Sequence, residues 1–256
     1  MRTPDELREA IEGYLAEIEL APELGRLEDA VRYALDPGGK RIRPVLCLAV
    51  YESAGGTVEH ALPAAAAVEL VHTFSLVHDD LPALDDDDER RGRPSAHVAH
   101  GEGVALLAGD ALLVEAFRLA LHYEDPRLAR ELADATLGMI AGQFRDVTGE
   151  HDDLAALHAL KTGRLFRAAV GLGLRAAGVS EAEQAPWRAF GDELGLLFQV
   201  VDDLLDGDGV VERVGVDAAR DLADEAAARA RDRLQAVPAD TSVLLELVDG
   251  LAVRTS

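Results

Sequence analysis

Two groups of aspartates, each next to a run of apolar residues, are the strongest chemical signal in the sequence. One group begins with Asp79 and Asp80 and continues from Asp85 through four more acidic positions. The other contains Asp202 and Asp206, which on a helix lie about 40° apart around the axis and about 6 Å apart along it. Oxygen donors without a set of cysteines or histidines favour a hard cation such as Mg²⁺, which keeps waters and substrate phosphates in its shell. The two groups therefore indicate a phosphorylated substrate held between them by magnesium.

Lysine is rare in this chain, and its two positions are distinctive. Lys40 and Lys161 are the only lysines among 25 lysine and arginine residues, and each lies in a glycine-containing motif. An ammonium is a compact charge with three rotatable donors, whereas arginine presents a fixed fork, so both positions favour a role that needs the ammonium. A Gly-Gly pair followed by Lys40, Arg41 and Arg43 gathers cations beside accessible backbone amides, which suits a diphosphate.

Helices must position these side chains, because apolar residues recur three and four positions apart along almost the whole chain. Pro82 lacks a backbone donor, so we expect the helix before it to end near Asp80. A solvated acidic loop is the simplest interpretation of residues 86–89. No segment predicts a strand. The expected fold is all-α, with helices at about 4–19, 24–35, 43–54, 61–80, 103–122, 126–145, 154–177, 181–206, 216–235 and 240–252.

Charge and composition exclude several classes of protein. The 256 residues carry 25 Lys plus Arg against 48 Asp plus Glu, and the formal charge of −23 argues against nucleic-acid binding. The start of the chain has no apolar stretch of the secretory type, and the lone Cys47 has no partner for an internal disulfide. Charged residues interrupt every apolar run, so no membrane span is predicted. We expect a cytoplasmic protein.

The motifs together resemble the trans-isoprenyl diphosphate synthases, the polyprenyl synthetase family, and are most similar to the bacterial farnesyl type. The resemblance covers residues 28–206. It includes, in order, Gly-Gly-Lys-Arg-x-Arg-Pro, the first aspartate group with its Arg-Arg-Gly tail, Gly142-Gln143, Lys161-Thr162-Gly163, and Phe198-Gln199 before the second group. The implied fold is one all-helical domain over residues 1–256, a large bundle around a deep central cavity that is commonly a homodimer.

The resemblance also implies an activity. Members of this family condense an allylic diphosphate, such as dimethylallyl or geranyl diphosphate, head-to-tail with isopentenyl diphosphate. Magnesium assists ionisation of the allylic diphosphate to a carbocation, the isopentenyl double bond attacks that cation, and a proton is then lost. The isopentenyl diphosphate group stays intact and therefore needs a cationic site.

Residue roles follow from the same resemblance. The expected magnesium ligands are Asp79, Asp80, Asp85, Asp202 and Asp206. The residues expected to bind diphosphate are Arg90 for the allylic substrate and Lys40, Arg43, His72 and Arg91 for isopentenyl diphosphate. The residues expected to line the allylic site and to stabilise the departing diphosphate and the developing cation are Lys161, Thr162 and Gln199.

Product length is expected to depend on Phe74. In the family, the residues four and five positions before the first aspartate pair form part of the floor that stops the growing prenyl tail; here they are Ser75 and Phe74. On a helix Phe74 lies about 7.5 Å from Asp79, and its ring is a bulky apolar stop. An aromatic residue there resembles the farnesyl type, so we expect a fifteen-carbon product, farnesyl diphosphate.

The segment after Asp206 departs from the family and keeps other interpretations open. The family continues with a glycine-rich loop that carries further lysines, whereas residues 207–256 contain none and Arg213 is the only nearby cation. A geranyl or geranylgeranyl diphosphate synthase and a non-catalytic partner subunit are the alternatives. A cyclising terpene synthase normally has a different second metal motif. A purely structural bundle would explain neither the aspartate groups nor the two lysines.

Overall fold

Well-formed helix ends and helix-favouring residues account for most of the architecture. The computed structural model describes residues 1–36, 38–150 and 154–253. At the start of α1 (Pro4–Glu17) the Thr3 hydroxyl accepts a hydrogen bond from the backbone N–H of Glu6 at 3.3 Å, and the Glu6 carboxylate accepts one from the backbone N–H of Thr3 at 2.8 Å. This reciprocal pair satisfies donors that the first turn leaves free.

The described residues contain thirteen α-helices and one short antiparallel ladder, so the expected all-α class is confirmed. In chain order the elements are α1 Pro4–Glu17, α2 Glu28–Leu35, α3 Ile42–Ser53, α4 Leu62–Asp79, β1 Glu89–Arg90, β2 Arg93–Pro94, α5 Ala96–His100, α6 Glu102–Ala120, α7 Arg127–Thr148, α8 Leu154–His158, α9 Arg164–Ala176, α10 Ala185–Asp206, α11 Val210–Val214, α12 Val216–Gln235 and α13 Ser242–Ala252. None of the described helices is long and apolar enough to cross a membrane.

Three features differ from the sequence expectation. The ladder pairs Glu89 with Pro94 and Arg90 with Arg93, because Arg91 (φ 55°) and Gly92 (φ 77°) form a tight turn with positive φ at both positions. No alternation of apolar and polar residues marks strands this short. The short helices α5 and α11 were not expected either. The segment expected as one helix over 154–177 contains a π-helical turn between α8 and α9.

The helices pack around α4 and α9. α4 lies along α6, and α9 lies between α3 and α7 while also contacting α4 and α10; α12 covers α10. The alanines at positions 64–67 are fully buried in α4, since small side chains allow neighbouring helices to approach closely. One hydrophobic core contains residues of α1–α7, α9, α10, α12 and α13.

Both aspartate groups lie at the C-terminal end of a helix. α4 ends at Asp79, as the position of Pro82 predicts, and the chain then enters the acidic loop. α10 ends at Asp206, where Gly207 takes the left-handed conformation (φ 77°) that is typical of the residue after a helix. Carboxylates at a helix C-terminus oppose the helix dipole, so both groups are in a position that favours a bound cation.

Candidate active site

Two neighbouring cavities lie between α4, α7, α10 and the π-helical turn. One is mainly apolar, with a volume of about 440 Å³, and Phe74, Met139 and Leu165 contribute to its lining. The other is polar, with a volume of about 730 Å³, and is lined by Lys40, Arg91, Asp202 and other charged residues. Four residues line both cavities: Arg43, His72, Leu76 and Thr162. The structure thus joins an apolar cavity to an ionic one.

The Gly-Gly turn forms one wall of the polar cavity and holds Arg91 against it. Gly39 has φ 139°, and a Cβ atom there would lie 2.8 Å from the Arg91 guanidinium carbon. The Arg91 guanidinium donates a hydrogen bond to the carbonyl oxygen of Gly38. Only glycine at position 39 allows this approach, and burial lowers the pKa of Arg91. The turn and the β1–β2 turn therefore present their cations together.

Arg43 carries a buried polar atom that no described residue satisfies. Its Nε atom is buried without a hydrogen-bond partner among the described residues. Its guanidinium carbon lies 4.8 Å from the centroid of the Phe166 ring and 5.3 Å from that of Phe198. Burial lowers the pKa of Arg43 to about 10. An unpaired buried donor that lines both cavities indicates that an anion completes the site.

Arg41 is a structural anchor beneath the polar cavity. It is 3% exposed and adopts φ 44°. Its Nη1 lies 2.6 Å from Glu69 Oε1 on α4, its Nε lies 2.8 Å from Glu12 Oε1 on α1, and its Nη2 donates to the carbonyl oxygen of Leu35 on α2 at 2.6 Å. One guanidinium therefore joins three helices next to Lys40. The motif pointed to Arg41 as a cation but not to this buried role.

In the first aspartate group, Asp80 is paired with an arginine, whereas the Asp79 carboxylate forms no hydrogen bond or ion pair with another described residue. Asp79 lines the apolar cavity, and burial raises its pKa to about 6, with Asp85 and Asp80 adding to the rise and Lys161 opposing it. Asp80 is 3% exposed and accepts a hydrogen bond from Arg90 Nε at 3.0 Å. Asp85 is exposed, and its backbone N–H donates to the carbonyl oxygen of Asp79 at 2.9 Å. Asp79 and Asp85 are thus held next to each other.

In the second group, two aspartates face the polar cavity and the one between them is bound within the protein. Asp202 and Asp206 both line the polar cavity, as their spacing on one helix face predicted. Asp202 Oδ1 lies 3.6 Å from Lys40 Nζ, and burial raises the pKa of Asp202 while Lys40 opposes the rise. Asp203 instead is buried and accepts hydrogen bonds from Gln199 Nε2 at 2.7 Å and from the backbone N–H of Val210 at 2.9 Å. Asp203 therefore fixes the chain after α10.

The π-helical turn (Ala159–Gly163) brings the Lys161-Thr162 motif to α10. Thr162 Oγ1 donates to Gln199 Oε1 at 2.6 Å, which continues the chain of hydrogen bonds through Gln199 to Asp203. Lys161 lines the apolar cavity, and its Nζ lies 2.6 Å from Asp146 Oδ2 on α7. π-helical turns are frequent at functional sites. Asp146 and Asp203 were not among the expected site residues. Asp203 lies within the second aspartate group, whereas Asp146 belongs to none of the motifs of the sequence.

His72 lies between the cations of the polar cavity and the apolar cavity. It lines both cavities, and burial, reinforced by Arg43 and Arg91, lowers its pKa well below the ordinary value. The imidazole is therefore neutral at pH 7 and can both donate and accept a hydrogen bond. Gln143, on the apolar cavity, has both amide atoms buried without a partner among the described residues.

The donor set fits magnesium. Among residues 1–36, 38–150 and 154–253, no three acidic, histidine or cysteine side chains converge into a metal cage. Mg²⁺ is ordinarily held by one or two carboxylates together with waters and substrate phosphates, so carboxylates presented from two sides of a polar cavity suit it. Burial raises the pKa of Asp79 and of Asp202, so a bound cation would stabilise the charged form of each carboxylate.

Of the expected site residues, most line one of the two cavities. Those in the polar cavity alone are Lys40, Arg90, Arg91, Gln199, Asp202 and Asp206, and those in the apolar cavity alone are Phe74, Asp79 and Lys161. Arg43, His72 and Thr162 lie where the cavities meet. Asp80 contacts the site through Arg90, and Asp85 lies in the exposed loop.

Sequence comparisons agree with this geometry. The model of the polyprenyl synthetase family matches residues 25–247. A geranylgeranyl diphosphate synthase from Cyanophora paradoxa is 43% identical over 209 residues, which cover 76% of this chain and 70% of that protein. A farnesyl diphosphate synthase from Micrococcus luteus is 40% identical over 213 residues, which cover 78% of this chain and 73% of that protein.

Solved structures show the same fold. The apo crystal structure of an FPP/GFPP synthase from Zymomonas mobilis has a TM-score of 0.87 and 30% sequence identity, with 97% of each chain covered. The chain spans only 58–61% of the length of two longer synthases from Arabidopsis thaliana that are 44–45% identical to it. The family model covers most of the chain, and the chain is 43% and 40% identical to the synthases from Cyanophora paradoxa and Micrococcus luteus. The chain belongs to the polyprenyl synthetase family of trans-prenyltransferases.

Proposed function

We propose that this prenyltransferase condenses an allylic diphosphate with isopentenyl diphosphate to give farnesyl diphosphate. The observation that carries the proposal is the junction of two cavities. An apolar cavity suits a prenyl tail, and the ionic cavity beside it suits diphosphate groups. Arg43, His72 and Thr162, which line both, are where the reacting carbons would meet.

The isopentenyl diphosphate group would bind to the cations of the polar cavity. Lys40, Arg43 and Arg91 line this cavity, and Arg43 Nε has no partner among the described residues. Guanidinium forks match phosphate oxygens, and an ammonium adds a mobile point charge. A neutral His72 adds a hydrogen bond without extra charge. This set binds a diphosphate that stays intact.

The allylic diphosphate would bind between the aspartate groups. Asp79, Asp80 and Asp85 on one side and Asp202 and Asp206 on the other would hold Mg²⁺. When bound, Mg²⁺ supplies positive charge that stabilises the departing diphosphate. Arg90, which in the free protein bonds to Asp80, is the cation adjacent to this diphosphate. Its guanidinium can hold a phosphate while remaining close to the acidic loop.

The polar side chains near the apolar cavity would position the reacting carbons. The Thr162 hydroxyl and the Gln199 amide are fixed by hydrogen bonds to each other and to Asp203. The oxygen atoms of these oriented groups would stabilise the allylic cation as it forms. The Lys161 ammonium would stabilise the negative charge on the departing diphosphate. Neither needs to reorganise during the reaction. The allylic C–O bond breaks with its electron pair leaving on the diphosphate, the isopentenyl double bond attacks the cation, and a proton is lost.

Phe74 supports a fifteen-carbon product. It is 6% exposed, lines the apolar cavity and lies five residues before Asp79 on α4. Its ring would stop the tail before a fourth isoprene unit is added. Geranylgeranyl diphosphate is the second candidate, because relatives that are 43–45% identical carry that name. Geranyl diphosphate as the final product stays a prediction, and none of the relatives named above is named as a synthase of it.

An apolar surface on α6 and α7 supports a homodimer. Its exposed residues include Leu107 and Val114 on α6, Leu121 directly after α6, and Leu137 on α7. Contiguous exposed apolar side chains mark interaction surfaces.

One domain over residues 1–256 stays a prediction that the continuous core supports; residues 37, 151–153 and 254–256 lie outside the described part. The cytoplasmic location also stays a prediction, since some relatives are named as chloroplast proteins.

Chain-length analysis of the reaction products tests the proposal. The purified protein is incubated with Mg²⁺, labelled isopentenyl diphosphate and, separately, dimethylallyl, geranyl or farnesyl diphosphate. The proposal expects farnesyl diphosphate from the first two starters and no extension of the third. Extension of farnesyl diphosphate to twenty carbons would replace the farnesyl assignment with the geranylgeranyl one. No condensation with any starter by a folded protein would favour a partner subunit.

A further inference from the structure

Arginines line a further cavity, between α7, α9 and the start of α10, which shares no residue with the two cavities of the candidate active site. Its volume is about 330 Å³, within the range of small-molecule sites. Its lining contains six arginines against three carboxylates, although the whole chain has a formal charge of −23. The arginines are Arg127, Arg130, Arg164, Arg167, Arg175 and Arg188. The sign of the local charge is thus opposite to that of the molecule.

A carboxylate at the base of the cavity orients two of these arginines. Glu131 Oε2 lies 2.5 Å from Arg175 Nε and 2.9 Å from Arg188 Nη2. The side chains of Arg175 and Arg188 are only 14% and 17% exposed. Gly171 on α9 makes the space for this carboxylate, because a Cβ atom there would lie 1.7 Å from Glu131 Oε1. Arg175 and Arg188 are therefore fixed before any ligand arrives.

Two arginines at the rim of the cavity, in contrast, have no acidic partner among the described residues. Arg130 and Arg164 are exposed, and neither forms an ion pair within the part of the chain that the structure describes. The aliphatic stem of Arg164 packs on Gly138, since a Cβ at that glycine would lie 2.9 Å from Arg164 Cγ. Ala135 and Ala168 line the cavity and are too small to fill it. The cavity combines fixed arginines, unpaired arginines and free volume.

We propose that this cavity binds a small, multiply charged phosphate-bearing anion, such as inorganic diphosphate or a nucleoside triphosphate. Planar guanidinium forks match phosphate oxygens in pairs, and the six arginines outnumber the five carboxylates that line the cavity or pair with these arginines, which are Glu131, Asp134, Glu181, Asp125 and Asp192. A concave site of this volume suits a compact ligand better than an extended acidic peptide. The site is independent of the condensation chemistry.

Calorimetric titration in EDTA, without Mg²⁺ or allylic substrate, tests the proposal. Inorganic diphosphate and ATP are titrated separately, at fixed ionic strength, into the full chain that carries Lys40→Ala and Arg91→Ala, which removes cations of the polar cavity. We expect binding to persist there and its dissociation constant to rise by about tenfold or more when Arg130→Ser and Arg164→Ser are added. The tighter of the two anions identifies the source.

A matched pair of substitutions controls for net charge. Arg8→Ser with Arg220→Ser removes the same two charges from exposed positions outside the cavity. This pair should leave the dissociation constant within about twofold of its parent. An equal loss of affinity in the control pair would overturn the proposal, as would loss of all binding with Lys40→Ala and Arg91→Ala. Binding of a glutamate hexapeptide but of neither phosphate would also overturn it, in favour of a protein surface.

Discussion

The ring of Phe74 meets the imidazole of His78 edge-on, with the ring centroids 5.1 Å apart and the planes at 78°. His78 Nε2 lies 2.9 Å from the carbonyl oxygen of Leu106 on α6. Gly109, one turn further along α6, leaves room for the imidazole, because a Cβ atom there would lie 2.2 Å from Nε2. α6 therefore holds, through His78, the ring that we propose as the floor of the product cavity.

Phe74→Ala should lengthen the product. Removal of the ring deepens the apolar cavity, so we expect products of twenty carbons or more from geranyl diphosphate in place of the fifteen-carbon product. Chain-length analysis of the reaction mixture measures the change. Ser75→Ala changes the neighbouring floor position by one hydroxyl and hardly alters the cavity volume, so it serves as the control and should keep the wild-type product. An unchanged product in Phe74→Ala would show that another residue forms the floor.

Gly109→Ala should destabilise the protein because the new methyl group would overlap the His78 ring. Displacement of a packed side chain by an extra methyl group costs about 1–3 kcal/mol of unfolding free energy. Gly103→Ala is the control on the same helix, since nothing lies within 4 Å of a Cβ there. It should leave stability unchanged or increase it. Urea denaturation compares the two variants, and equal stabilities would contradict the close packing of α6 on His78.

Arg41 should stabilise the folded protein mainly through its buried ion pairs. Arg41→Met leaves Glu69, itself 1% exposed, without a cation and should cost about 3–5 kcal/mol of unfolding free energy. The double variant Arg41→Met with Glu69→Leu removes the stranded charge, so it should be more stable than Arg41→Met alone. Urea denaturation measures both. A double variant that is less stable than the single one would show that Glu69 is satisfied without Arg41.

His72 should make the protein less stable in mild acid. Its pKa in the folded protein is well below 6.5, because burial and the adjacent Arg43 and Arg91 disfavour the imidazolium. Below about pH 6.5 the unfolded chain gains a proton on this residue that the folded chain does not, so unfolding free energy falls as pH falls, by at most about 1.4 kcal/mol per pH unit. His72→Gln should remove this part of the slope between pH 7.5 and 5.5 in urea denaturation. Identical slopes would place the His72 pKa near its ordinary value.

Local sequence features predicted the ends of the two site-bearing helices. Pro82 fixed the end of α4 at the first aspartate pair, and the four-residue spacing of Asp202 and Asp206 placed both on the polar cavity. These results depend on backbone sterics and helix periodicity, which act over a few residues. The aspartate and lysine motifs likewise indicated which side chains would converge.

Local sequence features did not predict contacts between residues that are far apart in the chain. The chain of hydrogen bonds from Thr162 through Gln199 to Asp203 joins residues up to 41 positions apart, and it needs a π-helical turn that no propensity marks. The buried role of Arg41 depends on Glu12 and Glu69, which belong to two other helices. Which aspartates are already paired, as Asp203 is, follows from tertiary packing alone.

The condensation rate of Asp202→Asn measures the central claim, that carboxylates on both sides of the polar cavity act together on the allylic diphosphate. The assay uses Mg²⁺, isopentenyl diphosphate and geranyl diphosphate, with Asp79→Asn in parallel and Asp208→Asn, an exposed position two residues past the second group, as the control. We predict that each site variant folds normally and loses about a hundredfold or more in turnover, while the control keeps the wild-type rate. Turnover in Asp202→Asn equal to that of Asp208→Asn would contradict the account.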